Sequence, residues 1–380
     1  MRFASACVAT GLLGFGSTAS YAQTSAVASG SWFNGATWSA GVPDGTTAAN
    51  VDGGFTVAVD AAGATTNKLD VGNAAGQSGG VSVAAGADLT IANNGPLPSI
   101  RIGQAAGGSG TLEVNGGSVT VNGPNADSGF AIGDLMIGDL GSGVMTMTSG
   151  TVVASDEMII AAAPGSAGTV TVSGGTLSTQ RRSIIVGFDG NATLNVSDAG
   201  SVKPNFDLLV GFRQGSQGTV NQSGGTIEAG IVFTNSFTGG TGSTVNVNMT
   251  GGTATARIAY VLGQGRGTTT MNHSGGVINA LTNNGDFVVS DGGGNTSVYN
   301  ISGAAQVNLL HNVIIGTFEG SNGTINQTGG AIVAGDNLAV GRDGVGAWNL
   351  AGGSASAKHA FLGDFDTSHG TMKITGGALN

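Results

Sequence analysis

Short runs that alternate apolar and polar residues recur along almost the whole chain, and each run ends in a doublet of small residues. Clear examples are residues 219–225 (TVNQSGG) and residues 324–330 (TINQTGG). Side chains alternate between the two faces of a β-strand, so this period of two predicts short strands with one buried face. The small-residue doublets are typical of tight turns. The pattern therefore predicts β-strands joined by turns, and no long helix.

These runs recur at a regular interval. The second residue of the doublet falls at positions 63, 86, 117, 150, 175, 200, 225, 252, 276, 304, 330, 353 and 377. Each doublet is followed by a short run rich in Thr, Ile and Val, and then by a run such as residues 184–187 (IIVG) or 313–316 (VIIG). Three short strands in a repeat of roughly 25 residues fit one coil of a parallel β-helix, with coils about 4.8 Å apart. Because the blades of a β-propeller need about 40 to 50 residues, we predict instead an all-β fold, a right-handed parallel β-helix (solenoid) of about thirteen coils.

The same alternation predicts which side chains face inward. Five residues before the end of the doublet the chain is apolar, at Val170, Val220, Val247, Met271, Tyr299, Ile325, Trp348 and Met372. One residue later, six consecutive units have asparagine, at Asn221, Asn248, Asn272, Asn300, Asn326 and Asn349. The apolar row should face the core, and the asparagine row should face solvent, where stacked amides can hydrogen-bond in a ladder. Two interpretations of this row stay open: a ladder that only holds the register, or a ligand-binding face.

The first 22 residues have the pattern of a secretory signal peptide. Arg2 precedes an apolar, uncharged segment at residues 3–16, and small residues lead to a cleavage site before Gln23. The only cysteine, Cys7, lies in this segment, so the exported chain would contain no disulfide and no thiol. No later stretch of about 18 uncharged apolar residues occurs, so we predict no integral membrane helix. We expect a secreted protein, extracellular or on the outer cell surface.

Composition and charge restrict the partners. Glycine makes up 72 of the 380 residues, whereas charged residues are only 9% and prolines number 6, which argues against collagen and against proline-rich disorder. The formal net charge is −10, and removal of the segment that contains Arg2 makes it −11. An acidic and sparsely charged surface disfavours nucleic acid and anionic membranes as partners.

The segment that follows the predicted signal peptide differs from the repeats. We predict that residues 23–60 form an N-terminal cap and that residues 61–380 form the β-helix. Trp32, Trp38 and Pro43 lie in the cap segment. Because the open end of a solenoid exposes unpaired backbone groups, we expect the two tryptophans to be buried over the first coil. The alternative is a site where their rings stack on a sugar.

Two motifs resemble a known group of proteins. Residues 31–43 (SWFNGATWSAGVP), followed by residues 55–60 (FTVAVD), resemble the W-x5-W-x2-G-x-P opening of β-helical repeats in bacterial autotransporter-like and PEP-CTERM-type surface proteins. The repeated G-T-V-x-x-S-G-G-T units resemble the same group along nearly all of the mature chain. The resemblance implies a secreted right-handed parallel β-helix with a structural or adhesive role. The chain departs from the group at residues 375–380, where it stops within a coil with neither a translocator barrel nor a sorting tail, so we expect further residues downstream or end-to-end self-association.

Patterns typical of catalysis or metal binding are scarce. The four histidines lack the spacing of a zinc site, and the Asp-Asp and Gly-His-Gly signatures of polygalacturonase-type β-helix hydrolases do not occur. Acids that follow the third run of some units could form a pectate-lyase-like calcium site, although turns explain them as well: Asp139, Asp189, Asp343 and Asp364. We predict no cofactor, with Ca²⁺ as the one alternative.

Two classes of function fit these observations. The first, which we favour, is a non-catalytic secreted or cell-surface structural or adhesive repeat protein, with extracellular polysaccharide or other surface proteins as partners. A narrower form of it is an ice- or glycan-binding face on the Thr and Asn rows. The second class is a polysaccharide-acting β-helix enzyme, a lyase or hydrolase, with a divergent site.

Overall fold

The computed structural model describes residues 22–93, 98–123, 134–235, 242–280, 282, 285–365 and 368–380. Within these residues the chain forms 35 strands in one sheet, one 3-10 turn at Gly35–Thr37 and no α-helix. None of the described segments forms a helix long and apolar enough to cross a bilayer. Residues 1–21 of the predicted signal peptide lie outside the described residues, and Ala22 begins the first strand.

The strands are short and follow one another around the coils. The first twelve in chain order are β1 Ala22–Ser25, β2 Gly30–Ser31, β3 Thr47–Val51, β4 Phe55–Val59, β5 Ala64–Thr66, β6 Lys68–Val71, β7 Ser78–Ala84, β8 Asp88–Ala92, β9 Ile100–Ile102, β10 Ser109–Asn122, β11 Leu135–Ile137 and β12 Ser142–Ala154. The next twelve are β13 Met158–Ile160, β14 Ala167–Val172, β15 Thr176–Thr179, β16 Ile184–Val186, β17 Asn191–Val196, β18 Ser201–Lys203, β19 Leu208–Val210, β20 Gln217–Gln222, β21 Thr226–Thr234, β22 Ser243–Met249, β23 Thr253–Leu262 and β24 Gly267–His273. The last eleven are β25 Val277–Ala280, β26 Asp286–Val289, β27 Asn295–Ile301, β28 Gln306–Leu309, β29 Val313–Ile315, β30 Asn322–Ala334, β31 Asn337–Val340, β32 Val345–Ser356, β33 His359–Leu362, β34 His369–Ile374 and β35 Ala378–Leu379.

The strands stack as a parallel β-solenoid of about 13 turns, spaced about 25 residues apart. Each strand pairs in parallel with the equivalent strand of the next coil, so that Val170 lies beside Leu194, and Leu194 beside Val220. This architecture confirms the predicted parallel β-helix. The ladder already joins β1 to β3 and β2 to β4, within the segment predicted as a cap.

The core is a continuous column of apolar side chains inside the coils. Its inward rows include the predicted apolar positions, of which Met271, Tyr299 and Ile325 have no exposed surface. Met372, in the last coil, is only half-buried and packs against the column. The predicted register is therefore confirmed, and the core follows directly from the repetition of one apolar position in every coil.

From β13 onward, several third strands have apolar side chains on both faces. The middle residue of such a strand points away from the central column, yet Ile159, Ile185, Val261, Val288 and Ile314 are 5% exposed or less. These residues form two further apolar clusters along the outside of the third strand. The runs IIV and VII therefore have no polar alternation because both of their faces are buried.

A left-handed residue ends the third strand and turns the chain into the next coil. Gly187 and Gly316, the last residues of the runs IIVG and VIIG, have φ values of 79° and 69°. A Cβ atom at these positions would lie 2.6 Å from the carbonyl oxygen of Gln217 and 2.5 Å from that of Val345. Glycine is favoured here because it tolerates both the positive φ and the close approach of the next coil.

One inward row contains polar side chains that bond to the backbone. Gln222 donates through Nε2 to the carbonyl oxygen of Thr253 at 3.0 Å, and Gln327 donates to that of Ser354 at 2.9 Å. His273 belongs to the same row, is 1% exposed and lies 2.8 Å from the hydroxyl of Tyr299. Burial lowers the pKa of His273 to about 4. Hydrogen bonds satisfy the amide donors of this row, whereas Oε1 of Gln327 is buried without a partner.

The register predicts opposite outcomes for one substitution at two adjacent positions. Met271→Asp places a carboxylate in the apolar column, where Met271 has no exposed surface, and should cost about 4 kcal/mol or more. Asn272→Asp keeps the size of an exposed side chain and removes one amide donor, so we expect a loss of about 1 kcal/mol. Denaturant unfolding of both variants, followed by circular dichroism, gives the comparison. A larger loss for Asn272→Asp would show that the register is wrong by one residue.

The buried histidine predicts that stability falls in mild acid. The unfolded chain takes up a proton at His273 below pH 6.5, whereas the folded chain does so only near pH 4. The unfolded state therefore binds more protons between these values, and the folded state loses stability as the pH falls, by about 3 kcal/mol for this group. We expect His273→Leu to remove this part of the pH dependence, measured by unfolding at about pH 7 and about pH 4.5. His359→Leu, at an exposed position, is the control, and an equal effect of both variants would contradict the assignment.

Candidate binding face

The six predicted asparagines form a continuous hydrogen-bonded ladder on the first strand of their coils. In every rung Nδ2 donates to Oδ1 of the asparagine in the preceding coil. The distances are 2.9 Å from Asn248 to Asn221, 3.0 Å from Asn272 to Asn248, 2.9 Å from Asn300 to Asn272, 3.0 Å from Asn326 to Asn300 and 2.9 Å from Asn349 to Asn326. The side chains are half-buried or exposed, as the predicted outward orientation requires.

A seventh asparagine extends the ladder toward the N-terminus. Asn221 donates to Oδ1 of Asn195 at 2.9 Å, and Asn195 donates to the hydroxyl of Thr171 at 3.2 Å. The sequence pattern missed Asn195 because its coil has one extra residue in the turn, where Asp198 has a φ of 49°. Counting back four residues from Gly200 therefore gives Val196 instead of Asn195. The alternation of buried and outward residues within β17 would have identified Asn195 as outward.

The ladder lies within a larger uncharged surface, which we call the Thr/Asn face. It consists of three outward rows across β14, β17, β20, β22, β24, β27, β30 and β32. The rows are Ala167, Asn191, Gln217, Thr244, Thr268, Thr296, Asn322 and Val345; then Thr169, Thr193, Thr219, Asn246, Thr270, Val298, Thr324 and Ala347; then Thr171, Asn195, Asn221, Asn248, Asn272, Asn300, Asn326 and Asn349. All 24 side chains are half-buried or exposed, and none is charged.

The Thr/Asn face is regular in both directions. Pairing along this part of the first strand has no register shift from β14 to β30, and the shift between β30 and β32 begins after Gln327, beyond the three rows. Side chains in one row are therefore about 4.8 Å apart, and neighbouring rows are about 6.6 Å apart, two residues along the strand. The result is a polar lattice about 34 Å long on an open sheet surface.

The two tryptophans of the predicted cap are buried. Trp32 is 0% exposed and Trp38 is 4% exposed. Their rings meet edge to face with centroids 5.1 Å apart, and Nε1 of Trp38 donates to the carbonyl oxygen of Trp32 at 2.8 Å. Neither ring presents a face to a sugar, so the stacking interpretation of these residues is not supported.

The four acids considered for calcium do not share one position. Asp139 and Asp364 directly follow the left-handed glycine of their coils, whereas Asp189 and Asp343 lie one residue later. Asp139 is 3.7 Å from Arg101, and Asp189 is 3.3 Å from Arg213. In the part of the chain that the structure describes, no group of three or more acidic, His or Cys side chains is arranged to hold a metal ion.

A buried ionic network lies on the third strands of the first coils, and the sequence pattern did not predict it. Arg101 binds Asp70 through two hydrogen bonds, of 2.8 and 2.9 Å, and Nζ of Lys68 lies 3.0 Å from the same carboxylate. Asp139 approaches Arg101 from the next coil. Two cations therefore face two anions, and the cluster is neutral as a whole. Its charges compensate one another, which suits a structural role rather than a ligand site.

Two stacked carboxyl groups are also buried, at Asp134 and Glu157. Asp134 is 0% exposed and Glu157 is 5% exposed, and the two residues precede paired strands β11 and β13. Burial raises the pKa of Asp134 to about 7 and raises the pKa of Glu157 well above its ordinary value. One oxygen of each group has no hydrogen-bond partner. A glycosidase needs two carboxyl groups that reach the substrate, and these two are closed off from solvent.

Comparisons with known proteins leave the function to be argued from this geometry. No protein-family model, curated protein or solved structure matches the chain. We take the Thr/Asn face as the candidate site because it is regular, exposed and uncharged.

The buried Asp134 predicts a variant that stabilises the protein at neutral pH. In the unfolded chain this carboxyl has a pKa of 3.8, and in the folded chain its pKa is about 7. The folded state keeps a proton that the unfolded chain releases, so stability falls as the pH rises between these values, by about 4 kcal/mol for this group. Asp134→Asn has no such loss. It should therefore be more stable than the wild type at about pH 8 and equally stable at about pH 4 in denaturant unfolding.

Asp286→Asn is the control for this experiment. Oδ1 of Asp286 accepts hydrogen bonds from the backbone N–H and Nδ2 of Asn312, at 3.0 and 2.9 Å. Asparagine can still accept these bonds through Oδ1, but without the negative charge each bond is weaker, so the variant should be less stable, the opposite of the Asp134 variant. An Asp134→Asn protein that is no more stable than the wild type at about pH 8 would contradict a protonated carboxyl in the folded state.

Proposed function

We propose that the protein is a non-catalytic, secreted or cell-surface structural and adhesive repeat protein whose Thr/Asn face contacts its partner. The observation that carries the proposal is the uncharged lattice of 24 exposed or half-buried positions on a protein with a net charge of −10. Such a face offers many polar groups for weak contacts in a regular array. Contacts of this kind add up over a length of surface, which is how an adhesive protein gains affinity.

The solenoid itself supports a structural role. Each added coil completes the backbone ladder of its neighbour and buries its inward side chains, so stability accumulates along the array without a disulfide. The continuous apolar column makes the described coils a stiff spacer. Two observations disfavour the alternative of a polysaccharide-acting enzyme: the carboxyl pair Asp134 and Glu157 is buried, and the ionic network at Asp70 and Arg101 is internally neutralised.

The proposed location and partners rest on features of the sequence. The signal pattern of residues 1–22 and the resemblance to autotransporter-like surface proteins support export. Extracellular polysaccharide or other surface proteins are the proposed partners, without a cofactor or Ca²⁺.

Charging the Thr/Asn face should abolish adhesion. In a variant with Thr219→Glu and Thr270→Glu, two carboxylates stand in the middle row of the face, where they disrupt an uncharged contact surface and need not disturb the core. We expect beads coated with this variant to bind extracellular material from the producing cells at least ~10-fold less than beads coated with the wild type.

The matched control has the same two charges on another face. Thr120→Glu and Thr176→Glu place them at outward, half-buried positions of the second strand. This control should bind as the wild type does, and all three proteins should unfold at similar denaturant concentrations. Equal adhesion of the face variant and the wild type would reject the proposal, as would release of sugar products from any polymer by the purified wild type.

A further inference from the structure

We infer that the ligand of the Thr/Asn face is a neutral polysaccharide presented as an ordered surface, and not an acidic one. The inference rests on the proposed function and names the chemical class of its partner. It follows from the charge, the hydrogen-bonding groups and the geometry of the face.

Charge excludes the acidic polysaccharides. Polymers of uronic acids or sulfated sugars have an anionic group on many of their residues, and proteins bind such groups through Arg or Lys. The 24 positions of the face contain neither. Beyond the two ends of the face, the asparagine row contains Glu113, two coils before Thr171, and Lys373, one coil after Asn349. On a protein with a net charge of −10, a polyanion would be repelled and would find no compensating cation on this surface.

The hydrogen-bonding groups of the Thr/Asn face are complementary to sugar hydroxyls. An asparagine amide has two N–H donors and an oxygen that can accept two hydrogen bonds. The ladder uses one donor and one acceptor of each inner rung, so every rung offers one further donor and one further acceptor to a ligand. The threonine hydroxyls of the neighbouring row both donate and accept. An apolar ligand would leave these groups unsatisfied at a cost, whereas sugar hydroxyls complement both kinds of group.

The geometry favours an ordered array over a single chain. The face is an open sheet of three parallel rows, about 4.8 Å by about 6.6 Å, and a lone polymer chain would cover only a part of it. The amides are already held in one orientation by their neighbours. Binding therefore costs little side-chain entropy, and many weak contacts can be made together. The face also lacks aromatic residues, on which single sugar chains commonly stack, so its affinity must come from the number of contacts.

The test compares solid neutral and acidic polymers. Purified wild-type protein, the Thr219→Glu and Thr270→Glu variant, and the Thr120→Glu and Thr176→Glu control are each mixed with microcrystalline cellulose, with chitin and with calcium-gelled polygalacturonate. We expect retention of the wild type and the control on at least one neutral polymer to exceed retention on polygalacturonate by at least ~10-fold. The face variant should lose this retention, and suspended neutral polymer should compete with adhesion to extracellular material.

Each other outcome overturns the inference in a recognisable way. Equal or stronger retention on polygalacturonate would reject the neutral class. Retention that the face variant keeps would place any glycan site elsewhere. A wild type that elutes as a dimer, with the face variant a monomer, would assign the face to a second copy of the chain. Inhibition of ice growth without polymer retention would assign it to ordered water. If adhesion depends on the face but neither neutral polymer binds or competes, the inference fails while the proposed adhesive function stands.

Discussion

The parallel, in-register hydrogen-bond ladder between consecutive coils is the interaction on which the rest of the structure depends. Because it places each residue beside its equivalent in the next coil, one apolar position repeated in the sequence becomes a continuous core. One asparagine position repeated in the same way becomes a chain of amides. A single register therefore determines the interior and the candidate binding face together. The chain has one cysteine, so no internal disulfide contributes to this arrangement.

Much of this could be predicted from the sequence because alternation and period are local signals. The inward Met271 and the outward Asn272 were both predicted correctly from a count within one repeat. The count failed where a turn contained an extra residue. At Asp198 the added residue takes a left-handed conformation and leaves the strand register intact, so Asn195 joins the ladder although its distance from the doublet differs. The turn doublet marks the end of a strand less reliably than the strand's own alternation.

Other features could not be read from the sequence. The runs MII (residues 158–160) and IIV (residues 184–186) give no alternation, so they do not indicate that Ile159 and Ile185 face outward and are nevertheless buried. Asp134 and Glu157 lie side by side because their coils, which differ in length, are aligned at β11 and β13. A local sequence pattern does not give this alignment. The ionic network of Asp70 and Arg101 joins residues 31 positions apart for the same reason. In a Gly-rich sequence, isolated charged residues are typical of turns, and only the alignment of neighbouring coils shows which of them are in contact.

The asparagine ladder also has a direction. From Asn349 to Asn195 every amide donates toward the N-terminal end, so the peptide-like dipoles of seven side chains point the same way. The Thr171 end and the Asn349 end of the row are chemically different, like the two ends of a helix. A polysaccharide chain is itself directional, with a reducing and a non-reducing end. On such a surface its two antiparallel placements are inequivalent, and the solenoid would align with its partner in one sense along the axis.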